Sequence, residues 1–140
     1  MHKGFLIWAS VFGILGVILG AFGAHKLYDL AKVYDLADPE KPFTTLLERA
    51  YKTGVTYQFY HALALIAVAL LYVHIPGSLT QWAGRCFITG VILFSGSLYL
   101  ITFVKFAKID FPSIIGILTP IGGVFFIAGW VCLLLAVVKK

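Results

Sequence analysis

Tyr57-Gln58-Phe59-Tyr60-His61 runs directly into Ala62-Leu63-Ala64-Leu65-Ile66-Ala67-Val68-Ala69-Leu70-Leu71. The second part is apolar enough to sit in hydrocarbon, and the first places a histidine, a glutamine and two tyrosines at its mouth. Side chains that ionise or hydrogen-bond strongly are costly at that depth, so they face a protein interior or a wet cavity. Other spans must therefore surround this one. The sequence outlines a membrane protein with a candidate polar site and names no reaction.

Composition agrees. Of 140 residues, 61% are hydrophobic and only 12% charged, with a mean hydropathy of +0.97. Soluble domains carry about a quarter charged residues. The net charge of +5 comes from basic residues at the ends of apolar runs. That placement suits lipid headgroups and topology, not nucleic acid. Cys86 and Cys132 show no metal-ligand spacing and read as buried, inert thiols. Their expected depths differ, which argues against a disulfide. No metal and no cofactor is expected.

Working outward, the apolar run at 5–24 spans about 30 Å as a helix and is longer than the roughly 7–15 residues of a signal-peptide core. Within it, Gly16 and Gly20 have the small-xxx-small spacing that lets a second backbone approach. They predict either tight packing inside the chain or a seam between two copies. Next, Leu27, Leu30, Ala31 and Tyr34 follow helical spacing, which predicts a short amphipathic helix at the membrane surface over about 25–38. Asp38-Pro39-Glu40-Lys41-Pro42 reads as a turn. Thr45-Leu46-Leu47-Glu48 reads as a capping box, starting helix two near Thr45. The remaining spans are expected at about 55–73, 82–104 and 113–138. Pro120 lies inside the last and predicts a kink. The expected fold is an all-α membrane protein: one domain over 1–140, an up-down bundle of four transmembrane helices plus the surface helix.

Four spans place both termini on one face, A, and the long segment between spans one and two on the other, B. Face A carries Lys3, Arg85, Lys139 and Lys140; face B carries Lys26, Lys32, Lys41, Arg49, Lys52, Lys105 and Lys108. The positive-inside rule then turns face B to the cytoplasm.

Depth gathers the polar residues. Tyr57, Gln58 and His61 lie just past the entry of helix two at face B. Tyr99, Ser97 and Ser95 precede the exit of span three, and Thr119 and Pro120 follow the entry of span four. At 1.5 Å per residue, all fall within roughly 3–14 Å of face B, and His25 ends span one on the same side. Tyr57 and Gln58 share a helical face with His61, and Ser95 shares one with Tyr99. Gly116, Thr119 and Gly123 line one stripe of span four, open to a neighbouring helix.

Two interpretations of this layer stay open. Such residues can simply bind helices together, each bond contributing about 0.6 kcal/mol, with His61 reaching Tyr99 or Ser95. Alternatively they line a pocket for a small ligand, lipid or partner helix. Arg49 and Lys52, just outside the membrane, would then form a charged rim. A haem held by His25 and His61 is disfavoured, because only His61 lies inside a span. Ser95 or Ser97 beside His61 could imitate a catalytic dyad, but no span holds an acid to orient the imidazole, so no catalytic residue is expected. A non-enzymatic accessory protein is the first functional expectation. An oligomeric small-solute transporter or channel is the second, which would need acidic coupling residues that the spans lack. Expected partners are the bilayer and either a second copy or another membrane protein.

Gly20-Ala21-Phe22-Gly23-Ala24-His25, Tyr57 to Leu65, Phe94-Ser95-Gly96-Ser97-Leu98-Tyr99, and Thr119-Pro120-Ile121-Gly122-Gly123 followed by Gly129-Trp130 touch all four spans. In this order they resemble the domain of unknown function 423 family, small bacterial inner-membrane proteins with eukaryotic relatives. The resemblance implies a four-span bundle in the inner membrane and puts the family's motif residues on the polar layer. It implies no activity.

Overall fold

The structure, a computed structural model, describes residues 1–37, 42–109 and 114–139. The turn expected at Asp38-Pro39-Glu40-Lys41 lies outside the described residues, as do Asp110 and Ser113. Four helices account for nearly all the rest: α1 (Lys3–Ala37), α2 (Phe43–Leu71), α3 (Ser78–Phe106) and α4 (Ile114–Val138). Each is long and apolar enough to cross a membrane, and the expected all-α, four-span architecture is present.

The amphipathic segment is helical over Tyr28–Ala37, but it continues out of span one instead of starting after a break. The join is a π turn at Gly23–Leu27. At 35 residues, α1 is about 52 Å long and projects well beyond a hydrocarbon core of about 30 Å. Its inner face carries Leu27 and Ala31, buried against Leu47 and Tyr51 of α2. One turn on, the Tyr34 ring meets Phe43 and Phe106 at 6.1 and 4.9 Å. The extension thus caps the face-B end of the bundle.

Helix α2 begins at Phe43, and its cap comes from α1. The Asp35 carboxylate accepts hydrogen bonds from the N–H groups of Phe43 and Thr44 and from the Thr44 hydroxyl. These donors are the exposed ones at a helix start, so Thr45 and Glu48 do not form the capping box that local spacing suggests. Two further π turns interrupt α2 at Leu47–Tyr51 and α3 at Val91–Ser95.

Between helices, aromatic rings seat on glycines. Phe59 covers Gly16, where a Cβ would lie 2.8 Å from the ring. Phe5 covers Gly84, Phe126 covers Gly90, Phe87 covers Gly129 and Tyr51 covers Gly23; a Cβ at any of these would clash with the ring. Gly122 is tighter still, because the backbone of Phe94 occupies its side-chain space. Lipid tails are as apolar as the core, so close contact, not escape from water, holds such helices together. A missing Cβ provides that contact. Gly16 is accordingly spent inside the chain on α2, and Gly20 meets Val55. Gly116, expected on a packing stripe, is exposed with nothing within 4 Å, and Gly123 only grazes Phe94. The helix continues through Pro120.

The pairs Phe94–Gly122, Gly90–Phe126 and Phe87–Gly129 fix the register of α3 on α4. In that register Cys86 lies level with Trp130, about 3 Å along the axis from Cys132. The expected difference in depth is therefore wrong. Both thiols are nonetheless free.

Candidate functional site

The polar layer near face B divides into separate contacts. Gln58, only 3% exposed, donates through Nε2 to the Phe12 carbonyl at 2.8 Å and accepts through Oε1 from the Tyr99 hydroxyl at 2.9 Å. One side chain of α2 thereby ties α1 to α3. Tyr51 donates to the Leu19 carbonyl at 2.7 Å, beside the α1 π turn. Ser97 and Thr119 join α3 to α4 at 2.6 Å. Every pair links two helices, and together they link all four. This is how buried polar groups avoid the cost of lying unpaired in hydrocarbon.

His61 stands apart. It is 5% exposed, and Nδ1 lies 2.8 Å from the Tyr57 carbonyl of its own helix. A carbonyl can only accept, so the proton sits on Nδ1. Nε2 then presents a bare lone pair and has no partner. Rings surround it: Phe126 stacks at 3.5 Å and 8°, with Phe87 at 5.4 Å and Trp130 at 6.3 Å. The expected bonds from His61 to Tyr99 or Ser95 do not form. Ser95 lies at the level of Gly54, whereas His61 lies beside Phe87, about 12 Å further along α3. The Ser95 hydroxyl is buried and also without a partner.

The other expected site residues scatter. Tyr57 packs on Phe94 at 4.9 Å and is 40% exposed. His25 is exposed on the α1 π turn, and its side chain makes no hydrogen bond among the described residues. No group of three or more His, Cys, Asp or Glu is placed to hold a metal among the described residues. Near face A, the sequence signal missed a further set of contacts. His2 Nδ1 accepts from the Phe5 N–H at 3.3 Å, the His2 N–H donates to Ala69, and Thr80 donates to the Ile75 carbonyl at 2.8 Å.

Two spaces open toward face B. A cleft of about 490 Å³ lies between α1 and α2, lined by Gly20, Gly23, Ala24, Tyr51, Val55 and Thr56, with the exposed Glu48 and Lys52 at its face-B side. A groove of about 1000 Å³ runs between the α1 extension, the start of α2 and the end of α3, and includes Arg49, Lys105 and Lys108. The expected rim is therefore split: Lys52 borders the cleft and Arg49 the groove.

Four spanning helices tied by sparse hydrogen bonds and ring-on-glycine contacts define a small polytopic integral membrane protein. The chain belongs to the family described as "Protein of unknown function (DUF423)", whose profile matches residues 19–123. It is 40% identical over 139 residues to the "UPF0382 membrane protein YwdK" of Bacillus subtilis, covering 98% of each chain. It is 30% identical over 134 residues to the "UPF0382 inner membrane protein YgdD" of Escherichia coli, covering 96% of this chain and 88% of that one. A UPF0382 membrane protein of Schizosaccharomyces pombe is 35% identical over 130 residues, covering 91% of this chain and 98% of that protein. No solved structure matches.

Proposed function

We propose that this is a non-enzymatic accessory protein of the bacterial inner membrane that holds the apolar part of a lipid or lipid-like molecule between α1 and α2. The observation that carries this is the cleft. Its volume of about 490 Å³ falls in the range of roughly 300–1,000 Å³ usual for ligand sites. Its walls are apolar and its mouth carries Glu48 and Lys52, one charge of each sign, one helical turn apart at the membrane surface. That pattern suits a molecule with an apolar tail and a zwitterionic head. The polar layer itself serves mainly as helix glue, since Gln58, Tyr99, Tyr51, Ser97 and Thr119 spend their hydrogen bonds on neighbouring helices. The inner-membrane location rests on likeness to the Escherichia coli relative, and the excess of basic residues turns face B to the cytoplasm. The alternative, a transporter or channel, would need a lumen between protomers, because rings on glycines fill the seams within one.

Native mass spectrometry of the full chain extracted with its lipids tests the proposal. The wild type should retain an adduct of lipid mass. Thr56→Trp, which fills the inner part of the cleft, should lose it, and Ile14→Trp on the lipid-facing side of α1 should keep it. A bare wild type, or equal adducts on all three proteins, would reject it.

A further inference from the structure

We propose that the face-B groove between α1, α2 and α3 is a second, separate site, which takes the phosphate-bearing headgroup of an anionic lipid. Three cations meet there from different segments: Arg49 from the first turns of α2, Lys105 from the last turn of α3 and Lys108 just beyond it. Lys108 sits in the left-handed region at φ 53°, and its ammonium lies 5.4 Å from the centre of the Tyr34 ring. No carboxylate is among the described lining residues. Asp35, on the same extension, has its carboxylate turned to Phe43 and Thr44. Like charges gathered in one groove repel, and an anion relieves that repulsion. A guanidinium fork with two ammonium groups matches the oxygens of a phosphate.

The groove's other residues favour a lipid over a free phosphate. Phe43 and Leu46 give it an apolar side, which a soluble anion would leave unused. The flanking α1 extension also exposes Val33 at 64% and Leu36 at 84%, adding apolar surface beside the cations. Lys105 ends a spanning helix, so the cations stand at headgroup level. The cleft between α1 and α2 is lined by different residues, so either site can fail without the other.

The full chain in detergent is titrated with phosphatidylglycerol and with phosphatidylcholine, and bound lipid is counted by native mass spectrometry. Phosphatidylglycerol should bind more tightly. Arg49→Gln with Lys105→Gln should lower that affinity by about fivefold for each cation removed, whereas Lys26→Gln with Lys32→Gln removes the same charge outside the groove and should not. Lys108→Gln alone, at an exposed side chain, repeats the test without disturbing a helix. Thr56→Trp should leave this binding unchanged. Equal losses in the two double variants, no preference for the anionic lipid, or full displacement of it by inorganic phosphate would overturn the proposal, the last in favour of a soluble ligand.

Discussion

Near the termini, Phe5 seats on Gly84 and Phe87 on Gly129, and the helices touch through rings with little space between them. Toward the long connection, Tyr51, Gln58, Tyr99, Ser97 and Thr119 bridge the helices through hydrogen bonds, and the cleft and the groove open there. The contrast arises from the means of attachment. A ring on a glycine needs the two backbones close and leaves no room. A hydrogen bond across a seam holds the helices at the reach of two side chains. The dry half fixes the bundle, and the polar half can hold something.

The sharpest way to break the close-packed seam between α3 and α4 is Gly122→Ala. The added methyl meets the Phe94 nitrogen and Cα, the latter at 2.8 Å, and a backbone cannot rotate away as a side chain can. The cost should be about 3 kcal/mol or more, read as a large drop in the melting temperature of the detergent-solubilised protein. Gly116→Ala, six residues earlier on the same helix, meets nothing within 4 Å. It should be neutral or slightly stabilising, because alanine is the better helix former. Equal effects at the two positions would show that the close approach of Phe94 to Gly122 does not hold α3 on α4.

In the polar half, Gln58→Leu removes both bonds of the side chain and leaves the Tyr99 hydroxyl unpaired. A loss of about 1–2 kcal/mol is expected. His61→Phe should behave differently. Nε2 makes no bond to lose, the Tyr57 carbonyl that Nδ1 contacts is on the same helix and keeps its helical N–H partner, and a phenyl ring can keep the stack on Phe126, so stability should hold or rise. Thermal melts of the two variants side by side decide it. A His61→Phe protein as unstable as the Gln58→Leu variant would mean that Nε2 has a partner of its own.

That difference marks where the sequence was legible. Hydropathy located four spans, and counting residues from face B put Gln58 level with Tyr99 and Ser97 level with Thr119. Depth along an axis, however, says nothing about which way a side chain faces around it. His61 shares the layer yet turns to Phe87, Phe126 and Trp130. Counting also assumes an unbroken helical phase, and each π turn inserts a residue that rotates the remainder of its helix by about 100°. The partners of Gln58 and Tyr51 include the carbonyls of Phe12 and Leu19, and backbone acceptors leave no trace in a side-chain pattern. The spacing of Gly16 and Gly20 signalled close approach correctly, but what approaches Gly16 is the Phe59 ring, a partner remote in sequence.

The smallest expected effect lies at the edge of the polar half, where Asp35 ties the α1 extension to the start of α2. The Thr44 hydroxyl holds the Asp35 carboxyl below its usual value; desolvation opposes this, and the N–H groups of Phe43 and Thr44 add to the lowering. A carboxyl whose folded value is depressed stabilises the fold in full above its unfolded value, about 3.9, and loses that contribution as pH falls through the lower folded value. Asp35→Asn should therefore melt slightly below the wild type at neutral pH, and the gap should close on acidification below about pH 4. The extension also forms one wall of the basic groove, so loosening it at neutral pH should weaken anionic lipid binding while the core of the bundle keeps its melt. A gap that persists unchanged at low pH would mean that the contact works by shape and not by the carboxylate's charge. The groove would then have to be held by the Tyr34, Phe43 and Phe106 rings alone.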